Sequence, residues 1–164
     1  MMTLHTQSAT EIAAAIRSGE ATATEVARAT LARVRAEDAK VNAFTAVTEE
    51  RALADAAAVD AALARGEDPG PLAGVPYAVK NLFDIQGVVT LAGSKIEADN
   101  PPATADSFAV ARLREAGGVC IGALNMDEYA YGFTTENTHY GPARNPHDTA
   151  RSAGGSSGGS GAAV

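Results

Sequence analysis

The sequence predicts an α/β fold. Segments with helical apolar spacing alternate with short segments of strand character, Gly and Pro punctuate the joins, and one continuous apolar run demands burial on both faces. Together these predict a largely parallel or mixed sheet flanked by helices. The first helix opens at Ser8-Ala9-Thr10-Glu11, a serine N-cap with a glutamate three residues on, which is a capping box. Ile12, Ala15 and Ile16 form its apolar stripe, and Gly19 ends it as a C-cap. Thr22 and Glu25 repeat the box for a second helix, whose stripe of Val26, Thr30, Leu31 and Val34 runs to about Arg35. Residues 42–47 alternate apolar and polar, as a half-buried strand does. An Ala-rich helix is predicted over 49–65, stopped by Gly66 and Pro69, and the loop 66–71 is too short to link domains.

A strand over 72–80 comes next, ending in Lys80, followed by loop or strand to Thr90 with a turn at Asp84 and Gly87. Asn100-Pro101-Pro102 breaks the chain. A helix over 107–116 has Phe108, Val110, Ala111 and Leu113 for its buried side, and Gly117-Gly118 caps it. Val119-Cys120-Ile121-Gly122-Ala123-Leu124 is the continuous apolar run and reads as a buried strand. A short helical turn is expected at Asn125-Met126-Asp127-Glu128, and residues 132–151 read as loop. No repeat of solenoid period is present.

Composition narrows the function. A length of 164 residues suits a single domain with a real core. Alanine supplies much of the 46% hydrophobic content and aromatics only 5%, which favours closely packed helices. A net charge of −7 argues against binding nucleic acid or an anionic membrane surface. The single cysteine, Cys120, permits no internal disulfide, and residues 1–6 lack the basic and apolar regions of a signal peptide, so a cytoplasmic protein is expected.

The chemistry concentrates in two places. Ala153-Gly154-Gly155-Ser156-Ser157-Gly158-Gly159-Ser160-Gly161 carries three hydroxyls on a backbone that can approach other groups closely. Composition alone also fits a flexible linker, but Ala162-Ala163-Val164 reads as the start of a helix or buried segment. The run formally fits the G-x-S-x-G nucleophile elbow, which needs a buried strand before the serine, and the residues before it are loop-like. No lysine follows the glycines, against a phosphate loop. Lys80, at the end of an apolar stretch, is poorly placed for solvation, and desolvation lowers a lysine's basicity. The alternative is a lysine that snorkels from a strand end. Cys120 has only apolar neighbours and reads as an inert buried thiol. His5, His139 and His147 lack metal-ligand spacing, and no metal or other cofactor is expected. Asp127 and Glu128 fit a site at a strand end and a helix N-terminus equally well.

The serine–glycine run, Gly74-Val75-Pro76-Tyr77-Ala78-Val79-Lys80 and Asn125-Met126-Asp127-Glu128-Tyr129-Ala130-Tyr131-Gly132 occur together, and the set resembles the amidase signature family. Asn81-Leu82-Phe83-Asp84 and residues 134–142 look most like its carboxybiuret hydrolase branch, with amidotransferase A-type chains and allophanate hydrolases as near relatives. The resemblance runs from the first helix to Val164 and implies that residues 1–164 are the N-terminal portion of a single amidase domain. It implies a Ser–cis-Ser–Lys triad in which Lys80 is the base and Ser156, reached through a cis peptide, bridges to a nucleophilic serine. That serine is expected beyond Val164, in a motif that also supplies the oxyanion donors. Much of the sheet is expected there too, which would leave an open edge and exposed apolar surface in these residues. Ser157 and Ser160 are expected to support the loop through their side chains, and Met126, Asp127 and Gly155 to line substrate or support the loop. The resemblance further implies a small linear amide or urea-type substrate, a small helical partner subunit and an oligomer. An inactive fragment or interaction module is the contrasting expectation.

Overall fold

The structure, a computed structural model, describes residues 7–164. Its elements run α1 (Ala9–Ser18), α2 (Ala23–Val41), β1 (Phe44–Val47), α3 (Glu49–Ala64), β2 (Pro76–Lys80), α4 (Phe108–Glu115) and β3 (Val119–Leu124). Four short strands follow, β4 (Glu136–Asn137), β5 (Gly141–Pro142), β6 (Arg144–Asn145) and β7 (Asp148–Ser152), then α5 (Gly158–Ala163). Single 3₁₀ turns lie at Ile96–Asp99 and Glu128–Ala130. The three longer strands form a sheet ordered β1-β3-β2. β1 pairs antiparallel with β3, Phe44 opposite Leu124 and Val47 opposite Gly122, with an irregularity between Phe44 and Ala46. Val119 donates to the carbonyl of Val75 and Asn81 to that of Leu124, so β2 and β3 run in the same direction. The sheet is therefore mixed, as expected.

Two compact units make up the described residues: 7–35, 48–77 and 111–121 form one, and 36–47, 78–110 and 122–164 the other. The first is built on small side chains. Ala23, Ala27, Ala52 and Ala56 are fully buried, with Ile12, Ile16, Val26, Leu31 and Val59 filling between them. Both capping boxes form: Ser8 with Glu11, and Thr22 with Glu25, each side chain meeting the other's backbone N–H. Gly19 closes α1 in the left-handed conformation. The start of α2 has a second carboxylate, Asp60 of α3, which accepts from the backbone of Ala23 at 2.7 Å and of Thr24 at 3.1 Å, and from the Thr24 hydroxyl at 2.7 Å. Buried Asp55 pairs with Arg51 at 3.3 Å and Arg114 at 3.1 Å.

The second unit is more polar inside. Ile85, Met126, Ala123 and Leu124 are buried beside Asn81, Ser94, Asn125, Asp127, Thr135 and Asn137. Each of these buried polar side chains has a hydrogen-bond partner, the condition for keeping such groups out of water. Gly122 is required by close approach: a Cβ there would lie 2.1 Å from the carbonyl oxygen of Ala46.

Several expectations need correction. α2 continues to Val41 rather than ending near Arg35, because Asp38 of its last turns accepts from Ala43 and Phe44 and fixes the exit. β2 begins at Pro76, not residue 72; Leu72 to Val75 form a turn through Gly74 at φ 70°. The short helical turn expected from Asn125 is a 3₁₀ turn that begins only at Glu128. Residues 132–151 are not plain loop but two small hairpins, β4–β5 and β6–β7. The serine–glycine run, by contrast, is structured as the sequence favoured, its second half forming α5. Phe108 faces solvent at 77% exposure, and Val110 alone of its helix is buried. Exposed apolar surface is present, as expected, at Tyr131, Phe133 and Val164 among others. No helix among the described residues is long and apolar enough to cross a membrane.

Asp60→Ala should leave the first N–H groups of α2 without their carboxylate and lower stability by about 2 kcal/mol. The fall in the urea midpoint at unchanged slope measures it.

Candidate active site

Lys80 is the last residue of β2, and its direction is set by the residue after it. The Asn81 side chain is 1% exposed; its amide donates to the Thr45 hydroxyl at 2.7 Å and its oxygen accepts from Leu91. With the Asn81 N–H on Leu124, the strand end cannot swing. The carbonyl of Lys80 then accepts from Leu82 and Phe83 as the chain turns away. The half-buried ammonium group donates to the Ser156 hydroxyl at 2.6 Å.

Ser156 arrives by a different route. The β6–β7 hairpin delivers the chain to Ser152, whose hydroxyl donates to the carbonyl of Thr134 and accepts from Gly154. The Gly155–Ser156 peptide is cis. Three hydrogen bonds then fix the run from outside it: Asp127 N–H to the Ser156 carbonyl at 3.1 Å, Gly158 N–H to the Thr135 hydroxyl at 2.9 Å, and Gly159 N–H to the Asn125 carbonyl at 3.0 Å. The contacts are so close that side chains are excluded. A Cβ on Gly155 would lie 2.2 Å from Oδ2 of Asp127 and 2.6 Å from the Thr134 nitrogen; one on Gly159 would lie 2.5 Å from the Ala43 carbonyl oxygen.

The anchors are themselves held. Asn125 donates to the carbonyls of Asn42 and Gly141 and accepts from Met126. Asn137 donates to the carbonyls of Gly93 and Met126 and accepts from His139 and Tyr140. Oδ2 of Asp127 accepts from the Thr135 N–H at 3.1 Å. Asp127 makes no side-chain cap bond to the 3₁₀ turn it precedes, so its carboxylate serves the site side rather than the turn. Thr135 is fully buried with φ 51°, and its hydroxyl and N–H are both engaged here. Burial lowers the Lys80 ammonium below the ordinary lysine range, and the charge of Asp127 partly opposes that fall.

Lys80, Ser156, Asp127 and Gly155 thus meet. Met126 lies next to them in sequence with its side chain fully buried, and its carbonyl takes part through Asn137. Ser157 supports α5 through its carbonyl, which accepts from Ser160 and Gly161; its side chain makes no cap bond. Cys120 is buried in β3, away from any such role. His139 lies 3.4 Å from Glu128, which also accepts from the Ser94 hydroxyl. His147 is exposed in the β6–β7 turn, and His5 lies outside the described residues. Among the described residues no group of His, Cys, Asp and Glu could hold a metal ion. An exposed hairpin precedes the serines, so the buried strand that a nucleophile elbow needs is absent there. Sequence reasoning missed Asn125, Thr135 and Asn137. Their only signal is position, since each polar side chain lies just after, or in the loop following, a wholly apolar strand.

Comparison with known proteins is consistent over nearly the whole chain. It is 64% identical over 154 residues to the 1-carboxybiuret hydrolase subunit AtzE of Pseudomonas sp. (strain ADP), covering 94% of this chain and 34% of that protein. It is 51% identical to the A-type chain of the glutamyl-tRNA(Gln) amidotransferase from Acidothermus cellulolyticus, covering 100% of this chain and 32% of that one. Among solved structures, a vestigial protein complex described for an s-triazine catabolic enzyme superposes with TM-score 0.95 at 62% identity, over 96% of this chain and 35% of that chain. A bacterial aryl acylamidase of the amidase signature enzymes superposes with TM-score 0.93 at 33% identity, over 99% of this chain and 34% of that chain. The chain therefore spans about a third of the length of the relatives it matches. Residues 25–164 match the Amidase family, and the chain belongs to that family.

Proposed function

We propose that residues 1–164 form the N-terminal portion of a single amidase domain that hydrolyses an amide C–N bond by a Ser–cis-Ser–Lys relay. The observation that carries this reading is the 2.6 Å hydrogen bond between Lys80 Nζ and Ser156 Oγ, on a serine whose backbone is pinned from outside its own loop. In the reactive form Lys80 is neutral and accepts the Ser156 proton. Ser156 accepts the proton of a nucleophilic serine beyond Val164, and that serine attacks the amide carbonyl. As the tetrahedral intermediate collapses, the C–N bond breaks and the relay returns a proton to the leaving nitrogen. Water, activated by the same relay, then releases the acid. Ser157 and Ser160 take no part as nucleophiles.

The substrate we assign is a small linear amide or urea-type molecule such as 1-carboxybiuret, supported by 64% identity to a protein of that activity. We extend the reading to a role in cyanuric acid degradation in the cytoplasm, supported by the similarity to a 1-carboxybiuret hydrolase subunit. A small helical partner subunit fits the same assignment, because a similar structure is described as a protein complex. A second reading, an amidotransferase A-type chain, is favoured by the 51% identity to one such protein.

Lys80→Ala and Ser156→Ala, made in the longest polypeptide the reading frame encodes, should each cut kcat for 1-carboxybiuret by at least ~10³-fold with the fold retained. Unchanged turnover in either variant refutes the relay; activity only with glutamine as ammonia donor selects the second reading. Because the base must be neutral, kcat/KM should rise with pH as Lys80 loses its proton. Burial lowers that proton affinity, so the rise should be centred below the ordinary lysine value of about 10.4. An acid limb centred at or above that value contradicts the assignment of Lys80 as base. Gly155→Ala places a methyl against Asp127 and the Thr134 backbone, and should lower stability by about 1–3 kcal/mol and activity further than that loss explains. Denaturant midpoints and kcat measured on the same preparation separate the two effects.

A further inference from the structure

β1 carries one residue too many for its partner strand. Phe44 lies opposite Leu124 and Ala46 opposite Ala123, so Thr45 is the extra residue of a bulge. A bulge interrupts the ladder and re-aims a side chain, and bulges gather beside active sites. Here the re-aimed group is the hydroxyl of a half-buried threonine, which donates to the Ala123 carbonyl at 3.3 Å and accepts from the side-chain amide of Asn81 at 2.7 Å. The other polar groups of buried Asn81 are engaged as well. Its N–H donates to the Leu124 carbonyl, its carbonyl accepts from Ala92 at 2.7 Å, and its side-chain oxygen accepts from Leu91 at 3.1 Å. Ala92 sits at φ 48°, a left-handed backbone that a residue other than glycine keeps only where its surroundings enforce it. β1, β3 and the turn at 91–92 thus converge on the residue that follows Lys80. Valine would suit a strand at position 45 as well as threonine does, and strand pairing calls for neither the bulge nor the hydroxyl. What the hydroxyl adds is a partner for Asn81.

Building on the relay of Lys80 and Ser156, we propose that Thr45 is a positioning residue for the base: the bulge in β1 presents its hydroxyl to Asn81, and that bond fixes the end of β2 so that Lys80 Nζ keeps its 2.6 Å contact with Ser156 Oγ. Thr45 touches none of the reacting atoms. It acts through Asn81, whose backbone sets the direction in which the Lys80 side chain leaves the strand. Ser156 is held independently, by the Asn125–Asp127 turn and Thr135, so its own anchors do not correct a misplaced lysine. A lysine side chain is flexible enough to leave its acceptor once its backbone tilts. Displacements of about 1 Å cost reactions of this kind up to ~10²-fold.

The test separates this from a purely structural role. Thr45→Val keeps the shape of the side chain and removes the acceptor, and Thr45→Ser keeps the acceptor; both are made in the longest polypeptide the reading frame encodes. In a crystal structure of Thr45→Val the contact between Lys80 and Ser156 should open beyond hydrogen-bond reach, and in Thr45→Ser it should be retained. An unmoved Lys80 in Thr45→Val, or the same opening in both variants, overturns the proposal. This reading requires no turnover, so it stands apart from the amidase assignment. In assays of the same preparations Thr45→Val should lower kcat by roughly tenfold with KM nearly constant, and Thr45→Ser should recover most of that loss. A change in KM alone overturns the positioning role. Asp60→Ala, which weakens the other compact unit, should change neither the contact nor kcat at a temperature where the variant is folded; a matching loss of kcat there assigns the effect of Thr45→Val to stability and overturns the proposal. If Thr45→Val does not fold, Thr45→Cys, with a much weaker acceptor at similar volume, is read in the same way. An opened contact without any fall in kcat upholds the hold on Lys80 and counts against the relay instead.

Discussion

The position of Ser156 depends on hydrogen bonds that its own loop cannot make. A run of glycine and serine has little propensity to hold any one conformation, and α5, with the sequence Gly-Gly-Ser-Gly-Ala-Ala, contains three glycines in six residues. What fixes it is the buried turn of Asn125, Met126 and Asp127 together with Thr135, which meets the backbone of the run at three points. Those partners are polar and buried, so they must be satisfied elsewhere, and Asn42, Gly93, Gly141 and Asn137 complete the accounting. The price of a rigid serine on a flexible sequence is a polar interior around it. The first unit buries Asp55 with its two arginine partners and otherwise has an interior of alanine and aliphatic residues.

Electrostatics at Lys80 balance two opposing effects. Burial favours the neutral amine, while the charge of Asp127 favours the ammonium. A lysine in water would be protonated at neutral pH and useless as an acceptor. The end of a strand whose next residue is an immobilised asparagine gives partial burial with little freedom to escape it.

The sequence was most informative where structure is determined locally. The capping boxes at Ser8 and Thr22 and the glycine at position 19 marked both helix starts and the first helix end, because caps act within four residues. Val119 to Leu124 was plain as a buried strand for the same reason. The end of α2 was missed because residues 36–41 carry no apolar stripe; the helix persists there through Asp38 and the strand start it holds. β4 to β7 were missed because pairs of two residues have no period to detect, and β7 is exposed throughout. Phe108 misled because an aromatic on a helix reads as core by type, and this one faces water. Within the site, Lys80 and Ser156 came from family resemblance rather than from spacing, and Asp127 was left undecided between helix end and site. Its carboxylate accepts from the Thr135 N–H and makes no side-chain cap bond to the turn it precedes.

Lys80 and Ser156 are 76 residues apart in the chain, and Asn42 bonds to backbone 98 and 100 residues away. Contacts of such sequence separation carry the loop-closure entropy of everything between them and are the slow, late ones in a folding reaction. β3 lies in that interval, and the Asn125–Asp127 turn that holds the serine follows it directly in the chain. The pair is thus a sensitive gauge of the whole second unit: a lesion that merely loosens its topology, far from either side chain, should part Lys80 from Ser156 before secondary structure is lost.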